Sequence, residues 1–360
     1  MKKYAVVLVF LFCFQSLNIF AQEGFSDILG TSHYTRAIRL GNAYTGVAEG
    51  TESIYYNVAG LANLNGYSAL YSNGSGVAFY LKDIRINDYA VSFRLPGKIG
   101  MTGISIQTLS SPSNQYNFSM DIYSLSYARK VISDFSAGIT FNYYYAKIPA
   151  STTSNPEPTT GESASSFDLN LGLLYNIPEN LKISSNDKFK IGLQIKNLLN
   201  SSLSYRFTDF KAHLFQEIRA GLSYMYNPNF EKVYDLAPIM VLFSFDAVFQ
   251  GADYDFTEWQ PNYGIEATLF EVLQLSYGRE NENQIKETYS YSPQHPVNRF
   301  GIGLNIPLNY LLDFKYDCNL SVNYSISDWQ KIDEDKGIGY PFNIDKFDKN
   351  TFSVGIVFSP

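Results

Sequence analysis

The sequence predicts an all-β protein, a 14-stranded antiparallel transmembrane β-barrel in an exported chain. Three observations carry that expectation: apolar and polar residues alternate with a period of two, an export signal opens the chain, and the links between strands differ in length on the two sides. Helical spacing is nowhere comparably sustained.

Of the 360 residues, 45% are apolar, 16% aromatic and only 17% charged, which is too apolar for a disordered chain. Acidic residues outnumber basic ones, 34 to 27, so the cationic footprint that nucleic acid requires is missing and no nucleic-acid partner is expected.

Residues 1–21 read as a signal peptide. Lys2 and Lys3 precede an apolar run from Tyr4 to Phe14, and a short polar break leads to cleavage after Ala21. The run is shorter than the roughly eighteen residues of a spanning helix. Bulky Leu11 and Phe12 argue against lipidation of Cys13, which leaves with the signal. The mature chain then keeps only Cys318, so no internal disulfide forms. No later segment is long and apolar enough for a membrane helix, the strongest being 238–243.

From Phe314 to Ile326 the residues Phe314, Tyr316, Cys318, Leu320, Val322, Tyr324 and Ile326 alternate without error with polar partners. The same pattern runs through Phe135 to Tyr145 and recurs along the chain. It predicts strands at 67–76, 87–95, 99–108, 120–130, 134–146, 166–176, 188–196, 216–226, 238–250, 261–270, 272–279, 297–306, 313–326 and 350–358. Links after odd-numbered strands are long, as at 147–165, 197–215, 280–296 and 327–349, and those after even-numbered strands are mostly short. Such asymmetry marks outer-membrane barrels, and in lipid a closed sheet satisfies every backbone polar group without leaving an edge. A soluble β-sandwich or propeller also alternates, but neither explains one consistently apolar face together with the loop asymmetry.

The chain has 29 Tyr, 27 Phe and 2 Trp, and Tyr67, Tyr127, Tyr175, Tyr226, Tyr263 and Tyr324 lie near predicted strand ends, where interface girdles form. Tyr also favours strands in general. The polar face, expected to line the lumen, carries Arg94, Asp168, Lys190, Lys196, Glu217, Arg219, Glu266, Arg299, Lys315 and Asp317.

Residues 23–66 lack this alternation and are rich in small residues. The stretch from Leu40 to Gly50, containing Gly41, Ala43, Tyr44 and Gly46, is followed by Asn57, Val58, Ala59, Gly60 and Leu61. Together they resemble the start of the long-chain fatty-acid channel (FadL-like) and PorV/PorQ-type outer-membrane proteins. That resemblance implies a hatch, residues 22–66, inside a fourteen-stranded barrel formed by 67–360, in the outer membrane of a Gram-negative bacterium and in contact with its lipid. Val58 stands where the family has proline, and a flexible leader is the simpler alternative for the segment. Small residues suit a plug because they let backbone approach the inner wall closely.

The resemblance implies two non-enzymatic roles. One is a partner or shuttle in type IX-like secretion, docking a translocon or a secreted cargo on long loops such as 147–165 and 327–349. The other is a passive channel for hydrophobic small molecules such as long-chain fatty acids. The stretch Tyr123–Lys130 leading to Phe135–Gly138 places the secretion role first. The fatty-acid channels release ligand sideways through an interrupted third strand, which Gly100 and Gly103 would supply here, although ordinary strand glycines read the same. Ile54, Tyr55, Leu61 and Leu64 would contribute to a hydrophobic ligand pocket or to packing of the plug on the wall.

An enzyme is not expected. His33, His213 and His295 sit in no nucleophile motif, and no His/Cys spacing suits a metal. Asp333, Glu334, Asp335, Asp345 and Asp348 read as a solvated acidic loop without calcium-loop spacing. No catalytic residue, metal or cofactor is assigned.

Overall fold

Strands whose side chains alternate in polarity need a different surrounding on each face, and a closed ring supplies two: lipid outside, lumen inside. A computed structural model describes residues 34–78, 81–110, 119–148, 162–178, 186–204, 211–214, 216–228, 230–231, 236–250, 259–282, 295–309, 317–328 and 350–359. Its strands are β1 (Tyr67–Ala78), β2 (Leu81–Arg94), β3 (Met101–Ser110), β4 (Ser119–Ile132), β5 (Phe135–Ile148), β6 (Glu162–Asn176), β7 (Lys188–Lys196), β8 (Ser202–Ser204), β9 (Lys211–His213), β10 (Glu217–Tyr226), β11 (Ile239–Gln250), β12 (Trp259–Leu269), β13 (Leu273–Glu282), β14 (His295–Pro307), β15 (Asp317–Asp328) and β16 (Asn350–Ser359). Among the described residues, fourteen of them close an antiparallel barrel in chain order, with β1 paired to β16; β8 and β9 pair only with each other.

The two faces separate as alternation requires. Ile104 and Ile106 of β3, Leu125 of β4, Phe141 of β5 and Ile302 of β14 are exposed on the outside. Their neighbours Ser105, Gln107, Ser124, Ser126 and Asn142 are buried inside. On β15, Leu320 and Val322 share the side of exposed Tyr324 and Ile326, while Asn323 and Ser325 are buried. Phe314, Lys315 and Tyr316, expected in this strand, lie outside the described residues, and the described strand begins at Asp317. No described helix is long and apolar enough to cross a membrane.

Several boundaries differ from expectation. β2 begins at Leu81 instead of 87, because backbone pairing with β1 continues to Ala78 opposite Leu81, where side-chain alternation no longer signals a strand. The first link therefore spans only 79–80, against the expected long class. β6 likewise extends down to Glu162, each residue paired with β5. Tyr67, Tyr127, Tyr175 and Tyr226 sit toward the end of the barrel that holds the chain's C-terminus, but Tyr263 and Tyr324 lie within their strands. Asp168, Lys190, Glu217, Arg219, Glu266 and Arg299 are buried on the inner face. Arg94 and Asp317 are exposed at the rim instead.

Residues before β1 run through the ring. Helix α1 (Thr35–Arg39) packs against β13–β16, whereas a 3-10 turn (Val58–Asn63), preceded by helix α2 (Ser53–Tyr56), packs against β3–β6. The segment therefore crosses from one side of the lumen to the other. After α1 the chain turns at Gly41, whose φ of 64° lies in the left-handed region that glycine tolerates best.

The interior as candidate functional site

A charged interior without bulk water is stable only if its groups find partners. Here segment 34–64 supplies them. Glu266 of β12 receives Arg36 (Nη2 to Oε1, 3.0 Å) and Arg39 (Nη2 to Oε2, 2.8 Å). Lys190 of β7 reaches Glu49 at 2.7 Å and donates to the Val47 carbonyl at 3.0 Å. Burial opposes charge on Glu49, yet Lys190 and Arg36 outweigh it and hold its carboxyl well below the usual range. Glu52 is the opposite case: burial dominates and pushes its carboxyl up.

Asp246 of β11 accepts from the Tyr44 and Thr45 backbone N–H groups at 3.1 and 3.0 Å and from Thr45 Oγ1 at 2.6 Å. Asn57 donates to the carbonyls of Thr45 (3.0 Å) and Leu173 of β6 (2.9 Å), while its Oδ1 caps the 3-10 turn by accepting from Ala59 N. The expected hatch residues Gly41, Ala43, Tyr44, Asn57, Ala59, Gly60 and Leu61 are thus all inside the ring and buried. Val58 occupies the first residue of the 3-10 turn, where proline is also tolerated.

The wall is shaped to receive this segment. Three cross-strand glycine pairs, Gly138 with Gly172, Gly192 with Gly221 and Gly264 with Gly278, lie where plug backbone touches it. A Cβ on Gly278 would stand 2.0 Å from Gly41 N, and one on Gly192 would stand 2.1 Å from the Thr45 carbonyl oxygen.

Toward the other end of the barrel the inner face of β2–β6 changes character. Ile86, Leu109, Met120, Ala146 and Ala164 lie directly opposite one another across five strands, with Ile122 and Tyr144 one pleat below. Leu203 and Leu214, from the link between β7 and β10, complete this buried apolar cluster. That link is drawn inward: Asp168 accepts from the N–H groups of Leu199 (2.9 Å) and Ser201 (3.1 Å), Asn170 from Asn197 N (3.0 Å), and Tyr144 donates to Asn197 Oδ1 (2.9 Å). Alternation did not reveal the patch, because each strand contributes only one or two of its residues; an apolar residue at the same end of five successive polar faces is the signal that finds it.

Ile54 and Leu61, expected in a ligand pocket or in packing on the wall, form a buried cluster with Val58, Ala90, Met101 and Ala128, joined by Tyr55 and Leu64. At the third strand, where Gly100 and Gly103 are expected to supply an interruption, the described pairing is continuous. Gly100 precedes β3, whose pairing with β2 and β4 carries no register shift, and Gly103 faces the Ile54 side chain. The signal segment 1–21, His33, most of the 147–165 and 327–349 loops and Asp333, Glu334, Asp335, Asp345 and Asp348 lie outside the described residues.

No protein-family model matches the chain, and no curated protein matches it in sequence. Among solved structures, the toluene transporter TbuX of Ralstonia pickettii is similar at a TM-score of 0.50 and 10% identity, covering 94% of this chain and 99% of that one. A FadL homologue of Pseudomonas aeruginosa gives 0.44 at 10% identity over 94% and 98%. The toluene transporter TodX of Pseudomonas putida gives 0.44 at 10% identity over 95% and 99%. At this identity the similarity to TbuX is one of fold.

Proposed function

We propose that this chain is a passive outer-membrane channel for hydrophobic small molecules, its lumen closed to bulk water by residues 34–66. The observation that carries the reading is the apolar patch of Ile86, Leu109, Met120 and Ile122 on the inner wall, roofed by Leu203 and Leu214. A wall that met only water would have no use for it, whereas an apolar solute gains from every contact there. The fold similarity to a toluene transporter supports the same reading. The plug lies among buried and half-buried ion pairs, so an ion path is disfavoured and a greasy solute has an apolar surface to follow.

The test is uptake of labelled toluene or fatty acid by a Gram-negative host that lacks its own hydrophobic channels and expresses this chain. Leu109→Asp with Met120→Asp is expected to lower uptake at least tenfold while the barrel still folds, checked by heat-modifiable gel migration. Unchanged uptake in that double variant overturns the proposal. Recovery of secretion components with the tagged native chain, in the absence of uptake, would favour the partner role that the PorV/PorQ resemblance implies.

A further inference from the structure

Among the described residues, the inner wall holds a buried carboxylate that no cation meets. Glu266, Glu217 and Glu280 each meet an arginine or lysine, Asp246 accepts three bonds from the plug, and Asp168 holds the β7–β10 link. Asp88 of β2 differs. It is fully buried, Gln107 faces it without a well-formed hydrogen bond to either oxygen, and no cation stands among the charged groups that act on it within the described residues.

Around it lie further polar groups in the same condition. Gln107 is directly opposite Asp88 across the β2–β3 pair, and Ser105 is one pleat below. Gln107 Nε2, Ser105 Oγ and the hydroxyls of Tyr34 and Tyr55 are all buried without a well-formed hydrogen bond, with Tyr34 and Ser105 facing the Tyr55 hydroxyl and Gln107 facing Asp88. Both tyrosines come from the plug, their ring centroids 4.6 Å apart, and both lie within electrostatic reach of Asp88. A well-packed interior leaves few such groups, and here five residues from two wall strands and the plug converge. Mere packing of the plug does not require them.

We propose that Tyr34, Tyr55, Asp88, Ser105 and Gln107 bind the hydroxyl head of an apolar alcohol or phenol. This rests on the channel reading and narrows its ligand class. Asp88 offers only acceptors, Gln107 Nε2 only donors, and the three hydroxyls either, so a head that both donates and accepts satisfies the set. A carboxylate would face the charge of Asp88 with no lysine or arginine to offset it. An ammonium would pair with Asp88 but leave Gln107 Nε2 unmet.

The position of the apolar patch fits the rest of such a molecule. Ile86 lies two residues before Asp88 and Leu109 two after Gln107, so both sit on the same face roughly 7 Å further along the wall. A chain rising from the polar cluster passes Ile86 and Leu109 and meets Met120, Ile122, Leu203 and Leu214. Head and tail then have separate surfaces on one face of the wall.

The experiment is calorimetric titration of the full chain in lipid nanodiscs at pH 8, with empty nanodiscs as reference, using 1-decanol, decane, decanoate and decylamine. 1-Decanol is expected to bind at least tenfold tighter than each of the other three. Asp88→Asn removes the charge with little change of shape and is expected to weaken decanol at least fivefold while strengthening decanoate; Gln107→Leu is expected to weaken decanol alone. Heat-modifiable migration verifies that each variant folds, and the wild-type ranking decides the matter if one does not. If decane or decanoate binds as tightly as decanol, the head-group site is refuted and the apolar channel stands. Tighter binding of decylamine refutes the hydroxyl assignment, and binding of none of the four removes site and channel together.

Discussion

At the scale of single residues, the interior separates groups whose charge is matched from groups whose charge is not. Glu52 is the clearest unmatched residue of the plug. It is buried, its Oε2 makes no well-formed hydrogen bond, and Arg36, the nearby Tyr44 hydroxyl and Arg39 lower its pKa less than burial and Glu266 raise it. A carboxyl whose pKa is raised by folding contributes stability that is full at low pH and lost as pH rises through the raised value. Glu52→Gln is therefore expected to stabilise the seated plug by about 1 kcal/mol at pH 8 and to change nothing below about pH 4, where both forms are neutral. The temperature of the heat-modifiable gel shift, measured at both pH values, checks this.

The residue scale also shows what a sequence conceals. Tyr44 and Asn57 stand out in the motif, but Asp246, which the motif needs, is one polar residue among many on an alternating strand. Asp88 is equally inconspicuous. Nothing local distinguishes a carboxylate that binds a plug from one that awaits a ligand, because the distinction lies in partners far along the chain.

Elements were legible where side-chain pattern and backbone pairing agree. β7, β10 and β16 lie within a residue of expectation because apolar and polar residues alternate to their ends. β8 and β9 were missed: strands of three residues are too short for any period to register, and their pairing depends on the link being pulled inward by Asp168 and Asn170. The glycine pairs are a further element-level feature. Read singly, Gly264 and Gly278 are strand glycines; paired, they make the groove into which Leu40 and Gly41 fit. Gly278→Val is expected to unseat the plug without opening the barrel, since its side chain would occupy plug backbone while strand pairing persists. Protease cleavage within residues 34–66 should then appear in the variant and be absent from the wild type, and equal protection would refute the fit.

For the molecule as a whole, the crossing of the lumen by residues 34–64 is the decisive arrangement. α1 is tied to one side of the ring and the 3-10 turn to the other, with Asp246, Glu266 and Lys190 holding the stretch between them. Removing residues 24–65 is expected to raise conductance in planar bilayers several-fold, while circular dichroism remains mainly β because the strands close without the plug. Unchanged conductance would mean that some other element blocks the lumen.

Alternation, strand number and the small-residue motif are properties of neighbouring residues, and from them the sequence alone determined a barrel of fourteen strands with an irregular segment before it. Which polar residues hold that segment, which face one another unpaired, and where the inner wall turns apolar were decided only in the folded ring. Tyr34, Asp88 and Gln107 meet through cross-strand register and the seating of the plug, and neither is written in the order of adjacent residues.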